Sequence, residues 1–79
     1  MNKDIVLIEW FDSSAGGKWE FFNGLEPLLP CLCYSVGFMI EDNPNYKTIA
    51  LGICDTQVLD RMTIPGGCIK SIKKLREEV

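Results

Sequence analysis

A chain of 79 residues suffices for one small domain and not for two, since a domain takes about 50 residues or more. Its composition, 47% hydrophobic and 24% charged, is that of a folded globular protein and excludes the polar disordered class. Eight Lys plus Arg against eleven Asp plus Glu give a net charge of −3 with no His, which argues against coating duplex nucleic acid and rules out His-dependent triads and mixed Cys/His zinc sites.

The first run, Asp4 to Phe11, is rich in β-branched and aromatic residues and reads as a strand. It is apolar on both faces up to Glu9, so something must cover both sides. Residues 12–18 are dense in Asp, Ser and Gly and form a loop. Trp19, Phe22 and Leu25 then recur at a spacing of three, predicting a short helix that Pro27 and Pro30 stop. Cys31 to Asp42 is a second strand, with Gly37 at mid-strand where a bulge or bend belongs. Asn43-Pro44-Asn45 is a turn, and Tyr46 to Cys54 completes a hairpin. A fourth strand runs from Thr56 to Ile64, with Val58, Asp60, Met62 and Ile64 on one face and Leu59, Arg61 and Thr63 on the other. Pro65-Gly66-Gly67 breaks it. Cys68 to Leu75 fits a closing fifth strand, although Ile69, Ile72, Leu75 and Val79 also match a helical stripe. The acids Glu77 and Glu78 follow this cationic segment, which reads as a solvated edge.

These elements predict a mainly β single domain over 1–79: a small five-stranded, bent barrel of the SH3-like or Sm-like kind, with one short helix inserted after strand 1. The two-sided strand Ile5 to Ile8, with Phe11, Phe21 and Phe22, is more apolar surface than a monomer of this size covers. A homo-oligomer is therefore expected. No run approaches the ~18 apolar residues of a membrane span, and the N-terminus lacks a signal-peptide pattern. The expected location is cytoplasmic. There Cys31, Cys33, Cys54 and Cys68 stay reduced and pack as small hydrophobes, because their spacing lacks the paired CxxC knuckles of a zinc site.

Trp10-Phe11-Asp12-Ser13, a glycine loop, Trp19, then Ser35-Val36-Gly37 and Thr63-Ile64-Pro65-Gly66-Gly67-Cys68-Ile69 span nearly the whole chain. This pattern resembles a group of small, mostly uncharacterised tailed-phage and prophage proteins. The resemblance implies phage origin and action in a bacterial host, and it brings no catalytic residues. Small phage proteins of this sort often act against host defences, some as oligomers that sequester cyclic nucleotide or ADP-ribose signals.

The residues themselves offer a candidate ligand site. A strand, then Ser13-Ser14-Ala15-Gly16-Gly17-Lys18, then a predicted helix is the order of parts in an anion-cradling loop. It is not a Walker A loop, because the first Gly and the Ser or Thr after Gly-Lys are missing. An ordinary flexible loop is the competing reading. Trp10 and Trp19 flank it, each either a stacking face for a purine or a core residue. Asp12 and Ser13 either cap the turn or contact ribose hydroxyls. Arg61, the sole arginine within the predicted sheet, either holds phosphate or pairs with Glu41 or Asp55. The ligand set is thus Trp10, Asp12, Ser13, Gly16, Gly17, Lys18, Trp19 and Arg61, with no cofactor, metal or catalytic residue expected. The favoured expectation is a phage-encoded anti-defence protein that sequesters a cyclic dinucleotide or cyclic ADP-ribose without chemistry. A protein that inhibits a host protein by surface contact is the alternative, and a signal-degrading enzyme is weaker than either.

Overall fold

The computed structural model describes residues 3–76. Five strands, β1 (Ile5–Asp12), β2 (Cys31–Asn43), β3 (Tyr46–Ile53), β4 (Val58–Pro65) and β5 (Ile69–Lys74), form one antiparallel sheet in the order β4-β3-β2-β1-β5. A single 3₁₀ turn, Gly66–Cys68, links β4 to β5. Each predicted strand is present with ends shifted by no more than about two residues, as expected where fraying decides the boundary. The reading of Cys68 to Leu75 as a strand holds over Ile69–Lys74, while Glu77, Glu78 and Val79 lie outside the described residues.

Two expectations are corrected. The sheet is not closed into a barrel, because β4 and β5 are its two edges and do not pair. It is nevertheless strongly curled. Pro65 and Ile69 are joined by only three residues, which span at most about 14 Å, whereas the edges of a flat five-stranded sheet lie about 19 Å apart. The concave face carries the core: Val6, Ile8, Ile49 and Ile64 are buried together, with Trp10, Met39, Cys68 and Ile69 packed against them. Ile64 on one edge strand thus meets Val6 and Ile8 on a strand three places away, which only curling permits.

The second correction is the helix. Residues 19–26 contain one turn, closed by the Leu25 N–H donating to the Phe22 carbonyl at 3.4 Å, with Gly24 at φ +86°. Eight residues cannot offset helix nucleation without a packed face, and here every residue from 11 to 32 is exposed. The segment 13–30 is therefore an irregular arm between β1 and β2.

The glycine in β2 does not sit at a bulge, one of the two roles expected of it. The register shift of β2 against β3 lies between Met39 and Glu41, and a second lies on β1 between Glu9 and Trp10. Gly37 pairs regularly with Val6, but a Cβ there would sit 2.7 Å from the Ala50 carbonyl oxygen. It lets β3 approach closely at the bend. Gly66 likewise seats the 3₁₀ turn on the β2–β3 turn, donating its N–H to the Asn45 carbonyl at 2.8 Å. On the convex side Thr48, buried, shares a 2.8 Å hydrogen bond with Thr63 across β3 and β4. Among the described residues no helix is long and apolar enough to cross a membrane.

Candidate functional site

Asp12 ends β1 opposite Cys31, and from there the chain leaves the sheet. The Asp12 carboxylate accepts the Ser13 N–H at 2.8 Å, the local bond expected of an acid at a turn. The Ser14 hydroxyl donates to the Leu29 carbonyl and ties the root of the arm together. Beyond that tie, Gly16, Gly17, Lys18, Trp19 and Glu20 enclose a shallow concavity of about 290 Å³. Open space surrounds Gly17, so its backbone is accessible to a ligand. The Trp19 side chain is 104% exposed, fully free of the protein. An indole left in water beside a glycine-rich, lysine-bearing loop is a stacking face without an intramolecular partner.

Trp10 has the opposite fate. Its ring is half-buried on the core and its Nε1–H donates to Ser35 Oγ at 3.0 Å. The bond fixes the polar edge of the indole, as buried tryptophan requires. Trp10 is thereby a structural residue under the loop rather than an open stacking face.

Arg61 stands apart from the loop. The pairing aligns Arg61, Ala50, Phe38 and Ile5 in one row across the sheet, while Asp12 lies at the other end of β1, about 23 Å along the strand at roughly 3.3 Å per residue. Within one chain the loop and this cation do not meet. Arg61 makes no ion pair among the described residues, so the pairing with Glu41 or Asp55 is not formed. Instead it borders a groove of about 350 Å³ floored by Ile49 and Ala50 and edged by Val36, Leu51 and Met62. Its neighbour Asp60 has φ +52°, the left-handed conformation that Asp tolerates better than most residues.

The thiols are also placed differently from expectation. Cys31 and Cys54 are exposed, and only Cys68 packs against the core cluster. Burial, then the neighbouring Cys31, pushes the Cys33 thiol up. Cys54 moves the other way. Backbone hydrogen bonding from Thr56, its hydroxyl, and the Gln57 backbone favour the thiolate and hold Cys54 below the usual thiol range. This thiol lines a cleft of about 410 Å³ at the β3–β4 turn with Ile40, Ile53, Thr56 and Val58. The sequence reading places Cys54 in the third strand and Thr56 and Gln57 in the fourth; in the structure they form the turn, where the Thr56 hydroxyl lies 3.9 Å from the Cys54 sulfur and the Cys54 N–H donates to the Gln57 carbonyl at 2.9 Å.

Comparison with family models, with curated proteins and with solved structures gives no match.

Proposed function

We propose that the protein is a phage-encoded anti-defence protein acting in the bacterial cytoplasm, which sequesters a small nucleotide-type signal, of the cyclic dinucleotide or cyclic ADP-ribose class, without chemistry and as a homo-oligomer. The observation that carries this reading is the fully exposed Trp19 indole in the same loop as the open Gly17 backbone and Lys18, with the Glu20 carboxylate lying against Gly16. A purine stacked on that ring gains about 1 to 3 kcal/mol, while the loop N–H groups and the Lys18 ammonium face a phosphate. Phage origin rests on the sequence resemblance. The curled, five-stranded sheet closed at one corner by a 3₁₀ turn supports an SH3-like or Sm-like barrel left open between β4 and β5.

The exposed apolar arm favours surface inhibition of a host protein as the second reading, because Phe21 and Phe22 are also left in water. Calorimetry with cyclic diguanylate and cyclic ADP-ribose separates the two. Sequestration requires saturable binding and recovery of the same nucleotide, chemically unchanged, after the protein is denatured. No heat with either nucleotide, together with capture of one host protein, replaces sequestration with inhibition. A changed nucleotide makes the protein an enzyme.

A further inference from the structure

We infer that the arm of one chain docks on the open groove of a second copy, bringing the Gly16 to Trp19 loop of one protomer against Arg61 of the other. The inference deepens the proposed function and rests on it for the ligand, but its grounds are separate. The first is surface area. The chain exposes 6769 Å², whereas a monomeric protein of its mass exposes about 4,800 Å². Its radius of gyration is 16.7 Å, against about 12 Å for a compact chain of this length. The arm is a source of the excess: residues 13–30 are exposed throughout, Trp19, Phe21, Phe22, Leu28 and Leu29 among them at 63% or more.

Roughly 2,000 Å² of surplus surface per protomer amounts to roughly 4,000 Å² in a pair, which is the size of an obligate interface between copies. The occupant is therefore matched in area to a second copy. The receiving surface is apolar too. Around the groove Val36, Leu51 and Met62 stand exposed although they belong to the sheet. Charge completes the match. The arm carries Glu20 and Glu26, the groove edge carries Arg61, and none of the three has an ion pair among the described residues. Docking the arm there also resolves the separation of the two halves of the candidate site, which one chain holds far apart.

The test uses the full-length protein and its association constant, read by light scattering across a dilution series. The wild type is expected to associate at micromolar concentration. Phe21→Ser with Phe22→Ser, and separately Arg61→Glu, are each expected to weaken association by about tenfold or more while the far-UV spectrum keeps its sheet signature, since truncating interface anchors and reversing interface charges act on association. Adding Glu20→Arg and Glu26→Arg to Arg61→Glu should restore it, which no damage to folding would mimic. A wild type that stays monomeric, or an oligomer indifferent to both the arm and the Arg61 variants, overturns the inference. Failure of the ligand reading looks different: association through the arm and Arg61 with no binding of cyclic diguanylate or cyclic ADP-ribose leaves the exchange standing and removes the ligand.

Discussion

Replacing Gly37 by Ala tests whether the bend of the sheet depends on the missing side chain. The added Cβ would lie 2.7 Å from the Ala50 carbonyl oxygen and 3.1 Å from the Ile49 Cβ. Both neighbours belong to β3, and Ile49 and Ala50 are buried, so relief requires the strand itself to move. Forcing a methyl into packed backbone costs about 1 to 3 kcal/mol. Removing a glycine also restricts the unfolded chain, which returns about 0.4 to 1 kcal/mol. The net loss is about 1.5 kcal/mol, or roughly 6 to 12 °C in Tm for a domain of this size. Thermal unfolding followed by circular dichroism at one fixed protein concentration reads the shift, because association would make Tm concentration-dependent. Gly52→Ala, on the neighbouring strand β3, is the control. A Cβ there meets Leu59 at 3.6 Å, an ordinary contact, so only the unfolded-state gain remains and Tm should hold or rise. Equal melting of the two variants would refute the close-approach account of Gly37.

Ile64→Ala empties a site with no exposed surface and should cost about 2 to 5 kcal/mol in denaturant unfolding, a loss confined to the edge strand if the curl of the sheet were absent. Trp10→Phe removes the donor to Ser35 and should lower stability by about 1 kcal/mol; no change would place the indole outside the core. Trp19→Ala should leave unfolding unchanged and weaken binding of a nucleotide by roughly five- to a hundredfold, the range set by one stacked base. For the thiols, the depressed pKa of Cys54 and the raised pKa of Cys33 predict that alkylation of the folded protein followed by mass spectrometry labels Cys54 at lower pH than Cys33. Linkage gives the sign of the accompanying effect. A thiol depressed in the fold stabilises above its unfolded pKa and loses that contribution as pH falls through its folded pKa, so Cys54→Ser should flatten the rise of stability in the alkaline range below the ordinary thiol pKa.

Strand content and chain order were decided by local features. Asp4 to Phe11, Cys31 to Asp42 and Tyr46 to Cys54 combine β-branched and aromatic residues with flanking Gly, Pro and Asn, and those preferences act over a few residues at a time. Alternation within β4 even assigned Ile64 and Arg61 to opposite faces, and the pairing with Lys47 and Ala50 bears that out. The Trp19, Phe22, Leu25 spacing misled because periodicity describes a possible face, while a helix forms only where that face finds something to pack against. The sequence favoured the core for Trp10, which ends an apolar strand, and left Trp19 open between core and stacking face; the structure puts Trp10 on the core with Ser35 as its hydrogen-bond partner and leaves Trp19 exposed. The distance of Arg61 from the loop belongs to tertiary structure alone. It depends on which strands become neighbours, and pairing partners far apart in the chain are selected by the burial of a shared core that no short stretch of residues contains.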